Sequence, residues 1–403
     1  MRILNVTQTY APFLEFGGPP VKVRALSEAM ARRGHQVTVL TADWGLERRF
    51  PGGVEPSGTA RSPFGWRRDE NGVQAIYLPT WLHYRALSWN PAAKRFTRAR
   101  LQNFDVVHIF GLYDFLGPTV AAACRHWKLP HVVEPIGMFL PIVRNLWLKR
   151  IYHSVLGRKM LRDASFLVAT SPQEVEELVS AGEPREKIFL RRNGVEVPAA
   201  LPERGKFRAS HAISQAAKVV LFLGRLSAKK SPDLLLDAFA KLPVAGARNN
   251  TILVFAGPDE RGMKTQLSQM AGRLGVATQV LFCGPLFNAA KWEAYRDADV
   301  FVLPSQNENF GNTAAEATAS GTPVVITEAC GIAPLLAGVS GLVVPHNAEA
   351  MSRAIARVLT EPELRAQLSA GCKEATSRLG WEEPAQEMES LYRQLVDPES
   401  RVP

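Results

Sequence analysis

The feature that most constrains the fold is a series of short apolar segments separated by helical patterns, and this series occurs twice. The first contains ILNVTQ, QVTVLTA, DVVHIFG, HVVEPI and SFLVATS; the second contains VVLFLGR, TILVFAGP, QVLFCGP, ADVFVLPS, TPVVITE and GLVVP. Segments almost continuous in Val, Ile, Leu and Phe are typical of strands in a parallel sheet covered by helices. The sequence therefore predicts an α/β protein with two doubly wound parallel-sheet domains.

The two series are joined by RRNGVEVPAALPERGKF, which is rich in Pro and Gly and has no sustained periodicity. Such a stretch is typical of an interdomain linker, so we predict a first domain over residues 1–200 and a second over 201–380. Residues 381–403 are predicted to form a helix that packs back on the first domain. Two doubly wound domains that face each other form a cleft, and ligands bind beyond the carboxyl ends of such strands.

Composition narrows the class of protein. The 403 residues are 46% hydrophobic, which suffices for a sizeable core, and the 4 cysteines are too far apart for a zinc ribbon or a disulfide framework. The opening segment MRILNV is too short for a signal sequence, and no apolar stretch approaches the ~18 residues of a membrane span. We therefore expect a cytoplasmic protein, either soluble or peripheral on the cytoplasmic face of the membrane.

The net charge of +10 arises entirely in residues 1–200 and is densest in residues 81–162, where 13 Lys and Arg accompany 3 Asp and Glu. The aromatic residues of this segment are Trp81, Tyr84, Trp89, Trp127, Trp147 and Tyr152, among others. A basic, aromatic segment suits an anionic membrane surface or a lipid-linked ligand, but a solvated helical face would have the same composition. The sequence contains no nucleic-acid recognition motif, so we expect no nucleic-acid partner.

The strongest chemical signal is PSQNENFGNTAAEATASGTPVVI, residues 304–326, which follows a predicted strand and leads into a predicted helix. A helix N-terminus offers free backbone N–H groups and the positive end of the helix dipole, which together hold a phosphate. Glu308 in the loop is placed to accept hydrogen bonds from sugar hydroxyls, and Glu316 on the helix from a ribose diol. Either glutamate alone would also be explained as an exposed solvating group.

A second motif, LFLGRLSAKKSPDLLLDAF, covers residues 221–239 and places two cations on one strand-to-helix turn. Arg225, which ends the predicted strand, and Lys230 can neutralise the charge of a diphosphate group. Lys229 precedes Lys230, and the register favours Lys230. A basic turn on the surface is the alternative interpretation. The sequence has no G-x-G-x-x-G, which argues against a dinucleotide-binding fingerprint.

The order of residues from Glu308 to Val325, E-x-F-G-x(4)-E-A-x-A-x-G-x-P-V-V, resembles the signature of the retaining glycosyltransferase family 4, the group 1 glycosyltransferases. The element G-R-x(4)-K at 224–230 is similar to that family's G-R-x(4)-K-G, with Ser231 in place of Gly. The glycines before the first helix resemble the family's N-terminal glycine loop. The resemblance implies the GT-B architecture, in which two facing Rossmann-like domains bind the acceptor and the nucleotide-sugar donor respectively.

The resemblance also implies the site residues. Catalytic roles are assigned to Arg225, Lys230 and Glu308. Donor binding is assigned to Gly18, Asn193, Gly224, Phe310, Gly311, Asn312, Thr313 and Glu316. The acceptor side is assigned to Gly17, His108 and Gly137, although His108 would equally be explained as a histidine of the core. The sequence departs from the family at Ile136, where many members have a histidine beside the transferred sugar; either Glu134 or nearby backbone takes over its contacts, or the acceptor is held differently.

The activity implied by the resemblance is hexosyl transfer from a UDP- or GDP-sugar to a glycan or lipid-linked saccharide, in the synthesis of a cell-surface polysaccharide or glycoconjugate. The acceptor attacks from the side of the leaving group, so the anomeric configuration is retained. No cofactor and no metal are expected, because no carboxylate pair offers an evident metal site. Two alternatives stay open: a nucleotide-sugar epimerase or hydrolase, and a non-catalytic protein that binds nucleotide sugars, glycans or lipid headgroups.

Overall fold

The computed structural model describes residues 1–14, 17–44, 46, 59–84, 87–138 and 152–397. The chain divides into two compact units. The first consists of Met1–Gly194 together with Trp381–Pro403, and the second is Val195–Gly380. The first unit thus ends at Gly194, where the sequence-based boundary was residue 200, and it includes the C-terminal segment.

The strands of the first unit follow the apolar segments of the sequence, with additions. They are β1 (Arg2–Thr7), β2 (Gln36–Ala42), β3 (Thr59–Ser62), β4 (Gly65–Glu70), β5 (Val73–Leu78), β6 (Leu82–Tyr84), β7 (Leu87–Trp89), β8 (Val106–Phe110), β9 (His131–Glu134), β10 (Phe166–Ala169) and β11 (Ile188–Leu190). In the described residues, nine of them form one sheet in the order β11-β10-β9-β8-β1-β2-β5-β4-β3, and β6 and β7 form a separate hairpin.

The sheet of the first unit is parallel except at one edge, where β4 pairs antiparallel with both β3 and β5. The predicted parallel sheet is present and is extended at this edge by antiparallel strands that the sequence analysis did not identify. The sequences TARS and GWRRDE are mostly polar, and half of their residues are exposed. Since the sequence-based strands were chosen by continuous apolar runs, such edge strands were missed.

The helices of both units have clear bounds. They are α1 (Gly18–Arg32), α2 (Ala92–Arg100), α3 (Leu116–Trp127), α4 (Arg158–Asp163), α5 (Pro172–Ser180), α6 (Lys206–Ser210), α7 (Pro232–Ala240), α8 (Met263–Arg273), α9 (Asn288–Asp297), α10 (Asn312–Ala319), α11 (Ala333–Leu336), α12 (Ala348–Thr360), α13 (Pro362–Ser377) and α14 (Glu382–Val396). Among the helices of the described residues, none is long and apolar enough to cross a membrane.

The last helix, α14, packs on the first unit, where it contacts α1. Its apolar side chains Met388 and Leu391 join the core that also contains Val23 and Leu26 of α1. These residues recur at helical spacing, so one face of α14 is buried and the other is exposed. At the start of α14, Trp381 fills the space where a side chain on Gly194 would lie.

The second unit is described in full and has an all-parallel sheet, whose strands again follow the apolar segments. They are β12 (Lys218–Leu223), β13 (Thr251–Ala256), β14 (Val280–Gly284), β15 (Val300–Leu303), β16 (Val324–Thr327) and β17 (Gly341–Val344). Their order in the sheet is β14-β13-β12-β15-β16-β17, and apolar cores lie on both of its faces. Because β12 and β15 are neighbours, the loops that follow their carboxyl ends lie side by side.

Candidate active site

The two motifs of the second unit meet at the carboxyl ends of β12 and β15. The Lys230 Nζ group donates a hydrogen bond to Glu308 Oε2, and the two side chains are 22% and 18% exposed. The backbone reinforces this contact, because the N–H of Gln306 donates to the carbonyl of Lys229 at 3.1 Å. The structure therefore brings Lys230 and Glu308 together, although 78 residues separate them in sequence.

Arg225 lies in the turn after β12, which ends at Leu223 and not at Arg225 as the sequence-based strand did. The Arg225 side chain is exposed, and no partner is found for its guanidinium among the residues that the structure describes. The preceding residue is held in place, since the N–H of Gly224 donates to the carbonyl of Ala256 at 2.9 Å. The turn thus carries a solvent-facing cation, Arg225, and a second cation, Lys230, that is already paired with Glu308.

The loop that carries Glu308 is fixed by its backbone and ends in a glycine that the geometry requires. The N–H of Glu308 donates to the carbonyl of Ala329 at 3.0 Å, and the N–H of Gly331 donates to the Glu308 carbonyl at 2.9 Å. Gly311 has a φ of 110° and precedes α10. A Cβ at this position would lie 3.0 Å from Ile332 Cγ2, so a larger residue would strain the loop.

The N-terminus of α10 has the features expected of a polar ligand site. No side chain caps this helix, because Gly311 occupies the capping position. In the described part of the chain, Asn312 Oδ1 and Thr313 Oγ1 are buried without a hydrogen-bond partner. Native proteins rarely leave such atoms unpaired, so a bound ligand or water is the ordinary explanation. Phe310, by contrast, is 3% exposed and belongs to the core.

Glu316 on α10 is held by two side chains that the sequence analysis missed. Lys291 Nζ lies 2.7 Å from Glu316 Oε1, and the Tyr295 hydroxyl donates to Oε2 at 2.9 Å. Burial, together with the charge of Glu316, raises the pKa of Tyr295 well above its ordinary value. A carboxylate can accept about four hydrogen bonds, so Glu316 keeps capacity for a ligand. The spacing of Lys291 and Tyr295 by one helical turn was the available signal.

The chain has one Asp-x-Asp sequence, Asp297–Asp299, which the sequence analysis passed over when it found no carboxylate pair suited to a metal. Asp297 accepts backbone hydrogen bonds at 2.5 Å and 3.0 Å from Gly205 and Arg208, and Asp299 accepts one at 2.8 Å from Val219. The pair precedes β15 and therefore lies at the amino end of the strand, away from the Lys230–Glu308 contact. Both carboxylates are engaged within the protein.

The residues predicted for the first unit occupy three loops. Gly17 precedes α1, which begins at Gly18. The N–H of Gly137 donates to Glu174 Oε1 at 2.7 Å, and the residue before it, Ile136, has a φ of 57°. Asn193 is buried at 8% exposure after β11. Their ligand-binding roles stay predictions.

His108 has the environment of a core histidine. It lies in the middle of β8, is fully buried, and its Nδ1 atom is 2.6 Å from the Tyr392 hydroxyl. Its ring stacks on Phe110 with the centroids 3.8 Å apart. Burial lowers the pKa of His108 to about 4. The position near a strand end that the sequence suggested is therefore wrong, and contact with an acceptor stays a prediction.

Comparison with known proteins assigns the family. Residues 203–375 match the family model for glycosyl transferases group 1, and residues 17–194 match the model for a glycosyl transferase 4-like domain. The D-inositol 3-phosphate glycosyltransferase of Actinosynnema mirum is 30% identical in an alignment of 403 positions, which covers 94% of this chain and 93% of the relative. An uncharacterized glycosyltransferase of Methanocaldococcus jannaschii is 26% identical over 98% of each chain.

Solved structures with the same fold include HepE of Anabaena in complex with UDP and glucose, with a TM-score of 0.74, 19% identity, and coverage of 97% of this chain and 99% of that one. Sucrose-phosphate synthase from Thermosynechococcus elongatus has a TM-score of 0.72, 20% identity, and coverage of 98% and 99%. The chain thus has the two-domain GT-B fold, as predicted. It belongs to the group 1 glycosyltransferases of family 4, and that prediction is confirmed.

Proposed function

We propose that the chain transfers a hexose-type sugar from a UDP- or GDP-sugar to a glycan or lipid-linked saccharide, with retention of the anomeric configuration, in the synthesis of a cell-surface polysaccharide or glycoconjugate. The observation that carries this proposal is the contact of the Arg225–Lys230 turn with the Glu308 loop, which leads into the N-terminus of α10. Two similar proteins support the nucleotide-sugar transfer in this proposal, since one is named a D-inositol 3-phosphate glycosyltransferase and the other, HepE, was solved with UDP-glucose.

The proposed roles follow from charge and position. Arg225, Lys230 and the N–H groups of α10 stabilise the negative charge that develops on the leaving diphosphate. Glu308 accepts hydrogen bonds from sugar hydroxyls, and Glu316 accepts them from the ribose. The bond between the anomeric carbon and the diphosphate oxygen breaks as the glycosidic bond forms. The acceptor hydroxyl proton passes to a donor phosphate oxygen, and the bonding electron pair leaves with the nucleotide diphosphate.

We further propose that this reaction needs no divalent metal. Arg225 and Lys230 lie on the turn that contacts Glu308, and both carboxylates of the Asp297–Asp299 sequence are engaged elsewhere in the unit. In the described residues there is no group of three or more His, Cys, Asp and Glu arranged to hold a metal ion. Turnover should therefore be unchanged by EDTA, and a loss of turnover that Mg²⁺ or Mn²⁺ restores would contradict metal independence.

The experiment that tests the proposed activity is proton NMR of the protein incubated with anomerically pure UDP-glucose, UDP-galactose or GDP-mannose and a panel of saccharide acceptors. We expect release of the nucleotide diphosphate and a product with the anomeric configuration of the donor. Lys230→Met should slow this release at least tenfold, because it removes a charge-assisted contact to the leaving group. An inverted product would contradict retention, and binding without turnover on every acceptor would favour the non-catalytic alternative.

We also propose that the basic, aromatic segment at 81–162 contacts an anionic membrane surface; its residues 85–86 and 139–151 lie outside the described part of the chain. Trp81 is 69% exposed, and its ring lies edge-on to that of Trp89, with the centroids 6.0 Å apart. The adjoining helix α2 exposes Lys94, Arg95, Arg98 and Arg100. Exposed tryptophans beside basic side chains suit a headgroup region.

This contact can be measured by sedimentation with vesicles of phosphatidylcholine alone or mixed with phosphatidylglycerol. We expect binding only to the anionic vesicles. Trp81→Ala should weaken it, and Arg98→Gln with Arg100→Gln should reduce it by about 2 kcal/mol. The double change Arg357→Gln with Arg353→Gln in α12 of the second unit is the matched control for charge. Equal binding to both vesicle types would rule out the proposed surface.

A further inference from the structure

A cluster of buried charged side chains in the first unit has no role in the activity proposed so far. Its centre is Glu134, the last residue of β9, which is fully buried. Arg191 Nη2 donates to both carboxylate oxygens of Glu134 at 2.9 Å, and Lys22 Nζ forms an ion pair with Oε1. Arg191 and Lys22 are themselves 0% and 3% exposed, so the cluster holds two cations and one anion away from water.

Two further contacts link this cluster to the last helix. His108 Nε2 lies 3.5 Å from Glu134 Oε2, and the Tyr392 hydroxyl is 2.6 Å from the other ring nitrogen of His108. The Arg191 guanidinium carbon lies 5.6 Å from the ring centroid of Trp381. Residues from β8, β9, α1, α14 and the loop after β11 therefore meet around one carboxylate.

The electrostatics of the cluster favour an ionised Glu134. Burial by itself would raise the pKa of Glu134, but the charges of Arg191 and Lys22 outweigh it and hold that pKa below its ordinary value. Burial, only partly offset by Glu134, lowers the pKa of Lys22 to about 8. In the described part of the chain, Arg191 Nε and Nη1 have no hydrogen-bond partner. Burial removes the hydration of these ions, and their pairing recovers only part of the free energy that is lost. A contribution to stability therefore does not by itself explain the cluster.

The position of the cluster between loops gives a better explanation for its buried charges. Lys22 lies near the start of α1, shortly after Gly17 and Gly18. Glu134 is followed by Ile136 and Gly137, whose φ angles of 57° and 63° reverse the chain direction. One carboxylate therefore joins two of the loops to which ligand contacts are assigned.

The third loop is joined through Arg191. This residue follows β11, its N–H donates to the carbonyl of Ala169 at 2.8 Å, and its Nη2 atom lies 3.5 Å from Asn193 Oδ1. Asn193 is one of the predicted donor-binding residues. Because the Nη2 atom of Arg191 contacts both the Glu134 carboxylate and Asn193, the loop that carries Asn193 is linked to the same carboxylate.

We infer that Glu134, acting with Lys22 and Arg191, is a positioning residue that fixes the glycine loop, the Gly137 loop and the Asn193 loop relative to one another. The ligand-binding purpose of these loops rests on the proposed function, whereas their mutual fixation does not. Glu134 is buried and acts through its partners, so it is not assigned a contact with substrate.

The test compares Glu134→Gln with Glu389→Gln, a matched removal of one carboxylate charge. Glu389 also ties α14 to the rest of the first unit, through Arg33 at 2.6 Å, but at the opposite end of α1. Hydrogen–deuterium exchange should rise at least tenfold in residues 17–22, 134–138 and 191–194 of Glu134→Gln and stay unchanged there in Glu389→Gln. Unchanged exchange in these segments, or an equal rise in both variants, would overturn the inference.

A kinetic measurement separates positioning from loss of folded protein. A smaller folded fraction lowers the apparent kcat and leaves KM unchanged, whereas displaced loops raise KM for the nucleotide sugar. We expect at least a tenfold rise in this KM for Glu134→Gln and less than twofold for Glu389→Gln. If the wild-type protein neither binds nor turns over a nucleotide sugar, the proposed function fails, but the exchange measurement still decides whether Glu134 fixes the loops.

A second variant covers the case in which Glu134→Gln does not fold. Lys22→Met leaves Glu134 paired with Arg191, so no unbalanced charge stays in the core. Exchange should then rise at least tenfold in residues 17–22 and stay near the wild-type level in residues 191–194. A uniform rise across the first unit, or no rise in residues 17–22, would overturn the inference.

Discussion

Replacing Gly257 by alanine should destabilise the second unit and displace the turn that carries Arg225. Gly257 follows β13 with a φ of 149°, a conformation that is essentially restricted to glycine. A Cβ at this position would lie 1.8 Å from the carbonyl oxygen of Gly224 and 2.6 Å from its carbonyl carbon. Both atoms are backbone, so the clash cannot be relieved by a side-chain rotation.

The size of the effect follows from two contributions. Forcing alanine into a glycine conformation costs roughly 1–3 kcal/mol, and moving packed backbone costs a similar amount, so the free energy of unfolding should fall by about 3 kcal/mol. For a unit of this length, each kcal/mol lowers Tm by about 2–4 °C, which predicts a shift of about 6–12 °C. The affinity for a nucleotide sugar should fall as well, because Gly224 precedes Arg225.

Differential scanning calorimetry of the wild type, Gly257→Ala and Gly272→Ala measures this effect. Gly272 lies inside α8, and a Cβ there would contact nothing within 4 Å, so its replacement should raise stability by about 0.5–1 kcal/mol. A Tm of Gly257→Ala within about 2 °C of the wild type would refute the reasoning, since neither strain nor clash would then be present.

The remaining predictions concern one hydrogen bond and one titration. Tyr295→Phe removes the hydroxyl that donates to Glu316, so calorimetric titration should show a loss of about 1 kcal/mol in nucleotide-sugar binding, and an unchanged affinity would contradict the role of Glu316. Burial lowers the pKa of His131 to about 4, below the ~6.5 of an unfolded histidine, so the unfolded chain binds more protons between these values. The stability this provides is complete above pH ~6.5 and falls by roughly 3 kcal/mol towards pH 4. Urea unfolding at several pH values measures the free energy of unfolding. We expect its dependence on pH to be shallower in His131→Phe than in the wild type, and an equal dependence in both proteins would contradict the role of His131.

Local sequence patterns were enough to predict the strands of the second unit and the loops that carry its candidate site. The strands of the second unit are continuous apolar runs because both faces of the sheet are buried, and the loops after β12 and β15 carry the residues that the motifs indicated. Gly311 was predicted from the need for a close backbone approach, and its φ of 110° explains why no other residue fits well.

Partners that lie far apart in sequence were not predicted. Lys291 and Tyr295 bind Glu316 from another helix, and nothing in the signature around Glu316 indicates them. His108 was read as a residue near a strand end, but its environment is set by Tyr392, 284 residues later. The charged cluster around Glu134 was missed because each of its members is a single polar residue within an otherwise ordinary segment.

The most direct test of the central claim is a thermal shift with UDP-, GDP- and ADP-sugars on the wild type, Lys230→Ala, Glu316→Ala and the control Lys241→Ala. Lys241 pairs with Asp237 on the surface of the same unit and has no assigned role in binding. We predict that one nucleotide class stabilises the wild type and Lys241→Ala by about 2.7 kcal/mol at 100 times Kd, and the other two variants much less. No stabilisation of the wild type by any donor, or equal stabilisation of all four proteins, would contradict a donor site at Lys230 and Glu316.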